Sequence, residues 1–209
     1  MSEKRKWVDW FLDQPMFSIF VRIDDDFIMN PFNFYGLKLN FKFFNEAYDC
    51  LKKGNYGPHD DKQIEHEAEV LYGLLHARYL LTRPGLQGIF EKFQMGYFQT
   101  CPRVNCKACT CLPYGISEKP SEHKLKMYCP SCSDVYLCTE GSDYENLDGA
   151  YFGPSWLLMF LQKYSDKIRK LIPEKQPKVY VPKIFGFRLC HESDKEMYSS
   201  EDEDEDTSD

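Results

Sequence analysis

The chain has 209 residues and a formal net charge of −7, with 43% hydrophobic and 16% aromatic residues. This composition supports a packed core and excludes a chain disordered throughout, and the length fits one large domain or two small ones. No stretch approaches the ~20 apolar residues of a membrane span, and the polar residues 1–6 stand where a signal peptide would carry its apolar run, so a soluble protein of the cytosol or nucleus is expected.

Residues 7–53 read as short aromatic-rich helices. Trp7, Trp10, Phe11 and Phe17 open the segment, and Asn30-Pro31 and Tyr35-Gly36 break it. Gly54 to Pro58 is a loop. The strongest helix follows. Asp60 and Asp61 can cap its start, and Ile64, Ala68, Leu71 and Leu75 repeat at helical spacing. Val70, Leu74, Ala77 and Leu81 widen the stripe, which predicts a helix buried on most sides. Pro84-Gly85 is expected to end it. A further helix is predicted to start over Leu86 to Phe93, with Gly96 at its C-terminal cap.

Between Cys101 and Cys138 the residues turn β-prone and cysteine-rich, and a separate subdomain is expected there. Leu125–Tyr128 and Asp134–Leu137 are predicted strands around a turn at Cys129-Pro-Ser-Cys132. A helix is predicted over 156–172, ended by Pro173, then a strand or hairpin over Val179–Cys190. From Glu192 to Asp209 ten acids stand against one lysine. That tail is expected to be disordered. Because it holds the negative charge, the body of the chain is close to neutral and does not exclude nucleic acid.

Nine cysteines in an intracellular chain point to metal or redox chemistry before disulfides. Cys101-Pro-x3-Cys106 and Cys129-Pro-x-Cys132 each set two sulfurs on a tight turn. Together they offer four thiolates at tetrahedral corners, about 2.3 Å from a zinc ion. A full thiolate shell leaves no open position, so one structural zinc is expected. The prolines fix φ in each turn, and the remaining amides can point at sulfur. Cys106-Lys-Ala-Cys109 is a competing pair. The matched Cys-Pro openings favour Cys101 with Cys106. Cys109 and Cys111 are expected to be surface thiols, and Cys50, Cys138 and Cys190 buried apolar ones.

No nucleotide-binding loop, metalloprotease helix, nucleophile elbow or kinase signature occurs in the sequence. His66 falls on the polar half of the long helix, and His76 with Arg78 reads as a hydrogen-bonded core pair. His123 lies on a polar loop and fits poorly as a ligand. No catalytic residues are assigned, and no enzyme activity is expected.

Several blocks, in order, resemble the regulatory beta subunit of casein kinase II. They are residues 71–79 (Leu-Tyr-Gly-Leu-Leu-His-Ala-Arg-Tyr), 101–106, 128–136, 148–153 (Asp-Gly-Ala-Tyr-Phe-Gly) and 181–187. The resemblance implies an α+β architecture. An all-helical domain (1–96) precedes a zinc-ribbon dimerisation subdomain (97–154), a helix and partner-binding hairpin (155–191), and an acidic tail (192–209). It implies a homodimer that holds the catalytic alpha subunit and tunes its choice of protein substrates. The family's zinc ligands fall on Cys101, Cys106, Cys129 and Cys132. Its dimer contacts fall on Pro102, Val104 and Val135, and its anchor for the catalytic chain on Phe185-Gly186-Phe187. On a strand, those two aromatics would share one face, and glycine would allow close approach.

This sequence departs from the family in three places. Phe185 lacks the hydroxyl of the family's usual tyrosine. Residues 51–58 are basic to neutral where the family has an acidic groove, and Ser2-Glu-Lys-Arg5 replaces the acidic N-terminal serine site. Ser199 and Ser200, each with an acid three residues on, are candidate phosphosites for the partner kinase. The alternative reading is a nucleic-acid-binding zinc ribbon carrying Arg103, Lys107, Lys119, Lys124 and Lys126, although no basic run with interleaved aromatics appears. No membrane partner is expected.

Overall fold

The computed structural model describes residues 5–172 and 182–189. The chain divides into two units, residues 1–175 and 176–209. In the first unit, helices gather around one long central helix, and a small three-stranded sheet carries the cysteines. The architecture is α+β with a zinc-ribbon-like sheet, as the sequence implies.

Helix α1 (Trp7–Leu12) is only six residues long, yet it buries Trp7, Val8 and Phe11 on one side. Trp7 Nε1 satisfies itself by donating to the Glu65 carboxylate at 3.1 Å. After α2 (Asp25–Met29), proline opens a 3-10 turn at Pro31–Phe34, and the Asn30 side chain caps it by accepting from the Phe32 amide. Helix α3 (Phe44–Lys53) ends at Gly54. A Cβ there would meet the Cys50 carbonyl oxygen at 2.4 Å and Trp7 Cβ at 2.7 Å, so only glycine allows α1 to lie so close.

Helix α4 (Lys62–Tyr79) begins where the Asp61 carboxylate accepts from the Gln63 and Ile64 amides. It buries Ala68, the whole run from Leu71 to His76, and Tyr79, as its wide stripe predicts. Its end differs from expectation. The helix stops at Tyr79, and Leu81 is exposed. Thr82 caps helix α5 (Arg83–Gln94) by accepting from Gly85, so Pro84 and Gly85 open the next helix instead of closing the last. Proline at a first turn loses no needed donor. Gly96, at φ +68, ends α5: its amide reaches the Phe93 carbonyl and that of Tyr97 reaches Lys92, a Schellman closure.

The sheet runs β1 (Leu112–Tyr114), β2 (Lys126–Cys129), β3 (Asp134–Leu137), all antiparallel. The sequence pointed to β2 and β3 but not to β1, which is an edge strand, where its central Pro113 is tolerated. Helix α6 (Ser155–Leu171) buries Trp156, Phe160, Tyr164 and Ile168, four residues apart. Its Tyr164 ring stacks on Phe90 of α5 at 4.3 Å.

In the second unit, β4 (Lys183–Ile184) and β5 (Phe187–Arg188) pair with Ile184 opposite Phe187. Phe185 and Gly186 are the two turn residues, both at positive φ, +49 and +87. The expectation that Phe185 and Phe187 share a strand face therefore fails: Phe185 lies in the tight turn and Phe187 on the strand that follows it. Gly186 serves the turn's backbone at positive φ. Cys190, Val181, Pro173, the acidic tail, Ser199 and Ser200 lie outside the described residues.

Candidate metal centre

The first cysteine turn starts from a bridge between Thr100 and Thr110. The Cys101 amide donates to the Cys109 carbonyl at 2.8 Å, and that of Cys111 to Gln99. Between them the chain makes a 3-10 turn at Val104–Cys106 and reverses through Lys107 and Ala108, both at positive φ, +51 and +53. Two successive non-glycine residues in that region carry a local penalty, which the closed shape of the turn must offset. The second turn connects β2 to β3, where the Ser133 amide donates to the Cys129 carbonyl at 2.8 Å.

These two turns bring four sulfurs together. The Sγ atoms of Cys101, Cys106, Cys129 and Cys132 all lie within 4.8 Å of one another. The Cys106–Cys129 separation is 3.5 Å and Cys101–Cys132 is 3.9 Å. Sulfurs about 2.3 Å from a central ion at tetrahedral corners would be about 3.8 Å apart, so the set fits a tetrahedral thiolate site. The Cys132 amide also donates to Cys129 Sγ at 3.4 Å, the kind of contact that softens thiolate charge. Burial works to raise the Cys106 thiol, yet hydrogen bonds with the other three thiols bring it down to about 7.

Cys109 and Cys111 are buried, not surface thiols. Burial pushes both up, Cys111 to about 12. They pack in the apolar core and are not members of the four-sulfur cluster. Cys50 is buried and Cys138 half-buried. His123 is exposed and outside the cluster.

His76 and Arg78 do not pair with each other. His76 accepts from the Val21 amide and donates to the Tyr151 carbonyl, at 3.1 and 2.8 Å. Arg78 donates to the carbonyls of Asn33 and Tyr35. Burial lowers both, His76 to about 4. Both hold separate backbone segments together. Of the ribbon's cations, Lys119 pairs with Glu122 and Lys124 donates to Asn146.

Beside the sulfurs, Val104 is 96% exposed and Val135 40% exposed, with Pro102 also at the surface. Leu137 on the same strand is 69% exposed. In the hairpin, Phe185 is 97% and Phe187 79% exposed.

The sequence model of a family described as casein kinase II regulatory subunit matches residues 6–188. Casein kinase II subunit beta-2 of Schizosaccharomyces pombe is 37% identical over 196 residues, covering 90% of this chain and 75% of its own length. Casein kinase II subunit beta' of Drosophila melanogaster is 35% identical over 192 residues, 90% and 85% of the two chains. Casein kinase II subunit beta of Dictyostelium discoideum is 36% identical over 201 residues, 93% and 72%.

Proposed function

The chain belongs to the casein kinase II regulatory subunit family, and on that premise we propose that it dimerises beside a zinc site and anchors a catalytic alpha chain through its C-terminal hairpin. It acts as a regulatory subunit and not as the kinase itself. Binding stabilises the catalytic chain and tunes which proteins that chain phosphorylates.

The observation that carries the reading is the exposure of large apolar side chains at the two expected surfaces. Val104 stands out fully beside the four sulfurs, and Phe185 and Phe187 stand out on their hairpin. Apolar groups presented this way favour burial by a partner, and aromatics at an interface centre commonly cost about 2 kcal/mol or more when truncated. Zinc suits the all-thiolate tetrahedral set. When bound, it would cross-link the two turns, and Cys101, Cys106, Cys129 and Cys132 would hold it. Pro102, Val104 and Val135 then form the dimer contact.

Co-purification with a kinase catalytic chain tests the hairpin role. Wild type should retain the catalytic chain and Phe187→Ala should lose it. Equal retention would remove the hairpin as the anchor. Light scattering of Val104→Asp tests the dimer face, where a monomer is expected and an unchanged dimer would overturn the assignment.

A further inference from the structure

The thiols that fit a metal have little access to water: Cys101, Cys106 and Cys129 are buried and Cys132 is half-buried. A zinc ion held by four thiolates leaves two negative charges in excess. Charge taken out of water is costly unless hydrogen bonds meet it. Backbone amides are common donors to such sulfurs, yet Pro102 and Pro130 each remove one from the cysteine turns. The Cys132 amide at Cys129 Sγ supplies part of the need.

Two side-chain hydroxyls beside the sulfurs are without partners. The Ser131 and Tyr136 oxygens are both closed to water, and neither completes a hydrogen bond among the described residues. Ser131 lies in the second cysteine turn and faces the Cys106 thiol. Tyr136 stands on β3 between the exposed Val135 and Leu137, so its side chain turns to the opposite face of the strand. There its hydroxyl faces the Cys132 sulfur, with Cys101 and the Arg103 guanidinium also in reach. A buried donor left unpaired is costly. A neutral thiol is a weak acceptor, whereas a thiolate is a charged one, and bonds to charged groups are roughly twice as strong. Because no water reaches either oxygen, the sulfurs are the acceptors at hand.

We propose that Tyr136, Ser131 and Arg103 form an outer shell of donors to the metal-bound thiolates. Tyr136 donates to Cys132 and Ser131 to Cys106, while the Arg103 guanidinium offsets the excess negative charge beside Tyr136. All three are positioning residues that orient the sulfurs and temper their charge, and none of them ligates the metal. The proposal rests on the zinc reading above and adds residues outside the four ligands. It also moves Arg103 from a candidate nucleic-acid contact to a part of the metal centre.

Metal competition on the full chain tests it, with a chromophoric chelator reading zinc affinity. Tyr136→Phe and Ser131→Ala each remove one hydroxyl, and each should lower the affinity about tenfold. Arg103→Gln should lower it as well, and Arg103→Lys should recover part of the loss. Loading with cobalt adds a second readout. A thiolate that loses its hydrogen bond gives up charge to the metal more readily, so the sulfur-to-cobalt charge-transfer absorption of Tyr136→Phe should move to longer wavelength. Circular dichroism of all the variants should match wild type. Wild-type affinity in both hydroxyl variants would overturn the proposal, and so would a loss of affinity with an unmoved cobalt band, which marks a packing role. A wild-type chain that takes up no metal would overturn the zinc reading and this proposal with it.

Discussion

His76 Nδ1 donates to the Tyr151 carbonyl at 2.8 Å, joining the last turn of α4 to the 3-10 turn that follows the sheet. Its other nitrogen accepts from Val21, so the ring must be neutral to make both bonds. Burial holds it at about 4, below an unfolded value near 6.5. As pH falls, the unfolded chain binds this proton first. The stability His76 contributes is thus full above about 6.5 and is lost progressively toward about 4, up to about 3 kcal/mol.

Glu69 works the other way. Burial, with Glu65 beside it, raises its carboxyl to about 7. Its folded form prefers the proton, so stability is full below its ordinary value of 4.5 and is lost as pH rises through about 7. The effect is reduced because the group is only half-buried. The two groups oppose each other across one window. Urea titrations between pH 4 and 7 should show Glu69→Gln losing stability in acid more steeply than wild type, and His76→Gln less steeply. Parallel profiles for all three chains would contradict this.

Gly73 faces the Tyr151 ring so closely that an added Cβ would lie 2.3 Å from Cδ1. Gly73→Ala should therefore destabilise the fold by about 1–3 kcal/mol despite the better helix propensity of alanine. Adding Tyr151→Leu should recover part of the loss. A double-mutant cycle measured by thermal denaturation reads this coupling.

Phe185 holds φ +49 at the first position of a two-residue turn before Gly186. Asn-Gly is the favoured pair for such turns. Phe185→Asn should therefore keep the hairpin while removing the exposed ring. Weaker retention of a catalytic chain with unchanged amide chemical shifts at Ile184 and Phe187 would assign the role to the ring and not to the turn.

On the proposed function, chelation of a bound metal, or Cys106→Ser, should release the two cysteine turns and with them the proposed dimer contact at Val104 and Val135. Helix α4 is packed by apolar residues without help from the thiols, so most far-UV helical signal should remain. Light scattering and circular dichroism on one sample separate the two effects. A dimer that survives metal loss would detach the site from dimerisation.

The pattern of α4 and the two Cys-Pro turns were legible because each rests on local spacing. Asp61 as a cap and Gly96 as a stop were legible for the same reason. The join at Tyr79 to Thr82 was not, because Pro84 carries the same letter whether it ends one helix or starts the next. Strand β1 was not legible either: it is a short edge, where Pro113 is tolerated. The burial of Cys109 and Cys111 depends on Gln99 and Cys101 pairing across the turn, which spacing does not reveal.

The bond between His76 and Tyr151 spans 75 positions of sequence, and the whole cysteine-bearing sheet lies inside that span. In polymer terms the sheet is a ring whose ends are already tied. The entropy of closing so long a ring grows only with the logarithm of its length, and the helical body has met it before any metal arrives. A chain stripped of its ion would therefore keep its four thiols confined near one another. Reloading would be a local rearrangement at high effective concentration, not a search by a free strand.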